Sequence, residues 1–166
     1  VWTVDWSANG NYLAAGNEVG NIKIYPFDAT SSDSLGSAVV DENLASNEIY
    51  SIRWLPESNN YFAVGLKNPT NGYEVQVYYF DGSAITFIDG FDYGDSVLTL
   101  DWKPDGNYIA AGGYSPNDGK EIKIYPVEYD YAETPVDSLN RIDMQMSGEL
   151  DILRELKLEN MILRVK

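Results

Sequence analysis

Apolar and polar positions alternate along most of the first 126 residues in short runs, each bounded by Gly, Asn, Asp or Pro. Period two over runs of this length predicts half-buried β-strands rather than helices. The runs also repeat. Val1-Trp2-Thr3-Val4-Asp5-Trp6 recurs as Ile49-Tyr50-Ser51-Ile52-Arg53-Trp54 and again as Val97-Leu98-Thr99-Leu100-Asp101-Trp102, with the final tryptophans 48 residues apart both times. A second strand follows each: Asn11–Gly16, Asn60–Gly65 and Asn107–Gly112. A third follows as Ile22–Pro26, Val75–Tyr79 and Ile122–Pro126, and weaker fourth strands are expected at Ser37–Asp41 and Ala84–Asp89.

Each unit therefore reads as a meander of short antiparallel strands, joined by turn residues such as Pro104-Asp105-Gly106 and Asn71-Gly72. Small residues in the second strand (Ala14, Ala15, Ala110, Ala111) suit a crowded inner position where neighbouring sheets converge. A four-stranded period of about 40–50 residues is the signature of a β-propeller. The stretch Asp101-Trp102-Lys103-Pro104-Asp105-Gly106-Asn107-Tyr108-Ile109-Ala110-Ala111-Gly112 resembles the Trp-Ser-Pro-Asp-Gly core of WD40-like propeller repeats. The resemblance covers residues 1–130 and implies an all-β fold of three four-stranded blades, at about 1–48, 49–96 and 97–130. The family's Trp-Asp pair is replaced here by Tyr25-Pro26, Tyr78-Tyr79 and Tyr125-Pro126, and its Gly-His pair is missing because the chain has no His. Three blades do not close a ring, since propellers need about four to eight. With Val1 rather than Met at the start, the expectation is a fragment of a longer propeller, or copies that combine their blades.

The pattern changes near Thr134-Pro135. Residues 1–130 carry 6 basic and 19 acidic side chains and 21 of the 22 aromatics; residues 131–166 carry 5 basic, 7 acidic and one aromatic, Tyr131. After a linker at 131–137, the period from Ser138 is helical. Leu139, Met146, Leu153 and Asn160 fall at heptad position a, and Ile142, Glu149, Leu156 and Leu163 at d. A C-terminal α-helix over 138–166 is predicted, with Leu139, Ile142, Met146, Leu153, Leu156, Asn160 and Leu163 as an oligomerisation seam. The alternative is an amphipathic helix that packs on its own domain.

Charge and composition restrict the chemistry. A net charge of −15 argues against nucleic acid and against anionic membrane surfaces. Without His or Cys there is no imidazole base, thiol nucleophile or Cys/His zinc site. No apolar run is long enough to span a bilayer as a helix, so no membrane insertion is expected. No phosphate loop or nucleophile elbow occurs, and no cofactor or metal is implied. Asp89, Asp92 and Asp95 lie three apart, without the Asp-x-Asp spacing of a calcium loop.

In a meander, the turns between second and third strands share one end with the links between blades. That end gathers 67–73, 89–95 and 114–120, which makes Lys67, Asn68, Tyr73, Asp92, Tyr93, Asp95, Tyr114 and Asn117 candidates for a partner-binding rim. The functional expectation is a non-catalytic protein-interaction or scaffold module that forms a homo-oligomer through its tail or through shared blades. The alternatives are a structural subunit of a surface assembly or fibre, and a glycan-binding module or propeller enzyme. Absent Cys with abundant Tyr, Asn and Asp favours an extracellular or cell-surface setting.

Overall fold

The computed structural model describes residues 1–44, 48–114 and 119–127. The linker and the predicted helix, with all seven seam residues, lie outside the described residues, as does Asn117. Among the described residues, eleven strands form three antiparallel sheets. Blade 1 is β1 (Thr3–Trp6), β2 (Tyr12–Gly16), β3 (Asn21–Pro26) and β4 (Val40–Asn43), in that spatial order. Blade 2 repeats the order with β5 (Glu48–Trp54), β6 (Tyr61–Lys67), β7 (Val75–Phe80) and β8 (Ile85–Phe91). Blade 3 has β9 (Val97–Trp102), β10 (Tyr108–Gly113) and β11 (Ile122–Pro126) among the described residues.

The fourth strands sit later in the chain than the alternation predicts. Before β4, a bridge between Phe27 and Leu35 and the Gly36 N–H to Pro26 O bond (3.0 Å) hold a side loop, so pairing with β3 resumes only at Val40. Turn chemistry otherwise follows the residues. Gly10 and Gly106 take positive φ (72° and 78°) and donate to Ser7 O and Lys103 O, both at 2.8 Å. The matching turn of blade 2 has no glycine, and Glu57 takes the left-handed conformation instead (φ 63°).

The core lies between blades. β1, β5 and β9 are edge strands of their sheets, with β5 packed between β1 and β9. Ala14, Ile22 and Ile24 of blade 1 meet Ile52, Trp54, Phe62 and Phe80 of blade 2 in one buried cluster. A Cβ on Gly65 of β6 would stand 2.8 Å from Val97 Cγ1, so only glycine admits the next blade there; Gly16 is likewise filled by Ile49. Two side-chain bonds recur with the repeat. Thr3 Oγ1 accepts from Ile52 N, and Ser51 Oγ from Leu100 N, each at 3.1 Å. Asp5 Oδ2 also accepts from Trp54 N at 2.7 Å, a second polar contact between blades 1 and 2. Ala110 departs from the crowded position predicted for it: it is exposed on the outer face of blade 3, where Ala14 is buried on blade 1.

Candidate functional site

At the end where the inner strands begin, the same repeat position presents Trp2, Tyr50 and Leu98. In blades 2 and 3 the backbone explains how these side chains leave the pleat, with Tyr50 half-buried and Leu98 exposed. Register shifts between Ile49 and Ser51 leave Tyr50 as an extra residue in β5, and the shift opposite Gly112/Gly113 does the same for Leu98 in β9. Such a bulge turns a side chain out of the pleat and towards the rim. Trp2 is 48% exposed and Leu98 38%. The rings of Trp2 and Tyr50 stack at 5.1 Å with an interplanar angle of 20°.

Polar groups fix this aromatic step. The Tyr50 hydroxyl donates to Glu48, whose carboxylate is paired with Lys67 at 2.9 Å. These bonds hold the Glu48 carboxyl below its ordinary range, first through Tyr50 and then through Lys67. The same carboxylate raises the Tyr50 and Lys67 pKa values, with Tyr114 adding a smaller upward push on Tyr50. Tyr114 is 57% exposed, and its N–H donates to Ser96 O at 3.1 Å. The result is a strip of apolar and aromatic surface with one charged pair beside it.

The residues singled out from sequence fall into separate groups. Lys67 and Tyr114 belong to the strip just described. Asn68 is exposed in a left-handed turn (φ 46°). Tyr73 lies farther out, stacked on Phe87 at 6.3 Å and covering Gly90, where any Cβ would overlap its ring. Asp95 accepts from Ser96 N at 2.5 Å, and Asp92 offers its carbonyl to the Tyr125 hydroxyl at 3.1 Å. Tyr93 is not a contact residue. It is fully buried between blades 2 and 3, donating to Glu121 O at 2.7 Å while its N–H bonds to Glu74 at 2.9 Å. Its carbonyl accepts from Lys123 Nζ at 2.9 Å, and the same ammonium lies 5.4 Å from its ring centroid. Trp2, Tyr50 and Glu48 were missed because alternation assigns them to strands, and only the bulge turns Tyr50 outward.

Among the described residues, no three His, Cys, Asp or Glu side chains come together as a metal-binding group. No helix among them is long and apolar enough to cross a membrane.

The repeat is recognised by a family model described as WD domain, G-beta repeat, which matches residues 1–25 and 82–125. No curated protein matches the chain. Among solved structures, a chain of the mitotic checkpoint complex is similar with a TM-score of 0.58 at 21% identity, over 76% of this chain and 37% of that one. Sqt1 of Chaetomium thermophilum, solved bound to the N-terminus of ribosomal protein L10, gives 0.59 at 17% identity, over 75% and 32%. A candidate 6-phosphogluconolactonase of Bacteroides fragilis NCTC 9343 gives 0.61 at 14% identity, over 75% and 34%. This chain thus spans about a third of the length of the solved structures it matches. At these identities the likeness carries the fold, and it agrees with the strand order: the described residues form β-propeller blades, with WD repeats recognised over residues 1–25 and 82–125.

Proposed function

We propose that this protein is a non-catalytic interaction module that captures a basic, extended protein segment on its inner rim. The carrying observation is the stacked pair of Trp2 and Tyr50, held open beside Leu98 and Tyr114 and flanked by the Glu48–Lys67 pair. Exposed aromatics fixed in place contribute contact area at little cost in side-chain entropy. The net charge of −15 favours Lys/Arg-rich partners and speeds their encounter at low salt. Sqt1, a protein of similar fold, was solved with the N-terminus of another protein bound, which supports the kind of ligand proposed. Residues 138–166, with the seam Leu139 to Leu163, would display several such rims together and raise avidity.

The test is titration with a panel of short Lys/Arg-rich peptides, followed by tryptophan fluorescence and calorimetry. Trp2→Ala and Tyr114→Ala should each weaken binding at least tenfold, and affinity should fall with salt. Binding that both substitutions leave unchanged would refute the reading.

A further inference from the structure

The outermost strands of blades 1 and 2 carry unlike side chains. β4 presents Asp41, Glu42 and Asn43 to solvent, charged and polar groups that discourage another strand from pairing there. β8 presents Thr86, Phe87 and Ile88 instead, with Ile85 half-buried before them. Four consecutive strand-forming residues without a charge make an unguarded edge. The backbone along it faces outward. Asp81 N–H bonds to Ala84 O (3.2 Å) across the β7–β8 turn, while Phe80 N–H bonds to Asn60 O on the other side of β7 (2.6 Å). Alternation along an antiparallel pair then makes Tyr79 and Thr86 the residues that exchange bonds, and turns the N–H and C=O groups of Ile85 and Phe87 away from the sheet. The straight stretch ends at Ile88, the extra residue of a bulge opposite Val77 and Tyr78.

Beside this edge stands a fixed aromatic surface. Tyr73, Phe87 and Ile88 are 40%, 43% and 39% exposed. The rings of Tyr73 and Phe87 stack with an interplanar angle of 17°, and Phe87 stands edge-on to the buried ring of Tyr78 at 5.9 Å. Tyr73 is held in place from three sides. Its ring fills the space over Gly90, its N–H donates to Asn71 Oδ1 (3.2 Å), and its carbonyl accepts from the buried Gln76 amide (2.9 Å). The charge around the surface has one sign. Between Lys67 and Lys103 the chain has no Lys or Arg and six carboxylates, among them Glu74 and Asp81 at the two ends of β7 and Asp89 within β8. Burial, with a smaller push from the Glu42 carboxylate of blade 1, raises the Tyr78 hydroxyl to about 12, which places a further acid near the same aromatic group.

We propose that β8 is a docking edge for an extended, Lys/Arg-bearing segment of a partner protein, which joins blade 2 as a fifth strand. The segment's backbone pairs with the outward groups of Ile85 and Phe87, and one of its cationic side chains lies over the Tyr73–Phe87 stack. The surrounding carboxylates select for a basic segment. A second copy of this chain, with a net charge of −15, is repelled. β8 and β5 are the opposite edges of one sheet, so this surface is separate from the rim strip and the two readings stand or fall independently.

The experiment is amide hydrogen exchange by NMR on the full chain, alone and with an eight-residue peptide of alternating Arg and Thr. In the free chain the Ile85 and Phe87 amides exchange fast. The peptide should slow both by about tenfold or more, in the unmodified chain and in Trp2→Ala alike, and added salt should reverse the effect. Phe87→Lys removes the ring and adds a charge that repels the peptide, so it should abolish the protection. Circular dichroism checks its fold, and Ile88→Lys takes its place if that variant unfolds. The same peptide N-methylated along its backbone should protect neither amide, because it neither donates to the edge nor fits beside it. Several results overturn the proposal. One is a free chain in which both amides are already protected, since the edge is then filled by the chain itself or by a second copy. Another is a peptide that leaves both amides exchanging as before. Protection that survives N-methylation or Phe87→Lys also overturns it. Protection that disappears in Trp2→Ala overturns it too, and leaves the rim reading in place.

Discussion

Ile24 and Ile124 occupy the same position of the same five-residue segment, yet one is fully covered and the other is 67% exposed. Replacing each by Ala separates the effect of the neighbouring blade from that of the sequence. Truncation removes three carbons, about 2.4 kcal/mol of transfer free energy at about 0.8 per buried methylene. At Ile24, Phe80 and the rest of the cluster enclose the site, so a residual cavity adds to this and the expected loss is about 3–4 kcal/mol. At Ile124 only about a third of the side chain is covered and no cavity is left behind; with the lower strand preference of Ala, the loss is about 1 kcal/mol. Urea unfolding followed by tryptophan fluorescence, at protein concentrations where scattering reports monomer, gives both values from the midpoint at constant slope. Equal losses at every concentration would refute the assignment of the two faces.

The glycines of the second strands should divide in the same way. Gly65→Ala forces a Cβ against Val97 and Leu100 and should cost about 1–3 kcal/mol in urea unfolding, while Gly112→Ala should change monomer stability by less than about 1. Asp5 has its pKa raised, chiefly by burial, against the opposing bond from Trp54 N. A raised carboxyl contributes stability below its unfolded pKa and loses it as pH rises through the folded value, so Asp5→Asn, which keeps the acceptor, should raise the melting temperature at pH 7. That gain should vanish below the ordinary carboxylate range; a gain of equal size in acid would refute the assignment. Gln76 is buried, receives the Tyr78 hydroxyl at 2.5 Å and donates to Asn71 and Tyr73. Gln76→Met leaves that hydroxyl without its acceptor and should cost about 1–3 kcal/mol by thermal or urea melts.

The blades were legible because strand, turn and repeat are local properties. Tryptophans 48 apart, the Pro-Asp-Gly turn and the three Tyr-bearing third strands announce themselves within one unit. Burial was not legible, because it depends on which blade lies alongside. Ile22–Pro26 and Ile122–Pro126 are the same five residues, yet the two isoleucines are buried in the first and exposed in the second. Tyr93 misled for a related reason: it stands in a Gly- and Asp-rich link that reads as a surface loop, while Glu74, just before β7, and Lys123 of β11 reach it from elsewhere in the sequence. The rim strip was hidden by the bulge in β5, since simple alternation does not reveal where one extra residue has been inserted.

Blade 2 is the only described blade with a neighbour on both flanks, and its second strand shows the effect: Phe62, Ala63, Val64 and Leu66 are all fully buried. Each blade draws its stability from itself and its nearest neighbours. Among the described residues, opening should therefore reach blade 2 last. Amides of β11 and of the β3–β4 excursion exchange with solvent through local fraying, while those of β6 exchange only when the whole array comes apart. Among the described residues, β6 should therefore be the slowest segment to exchange its amides and the slowest to be cut by a protease that acts on opened chain.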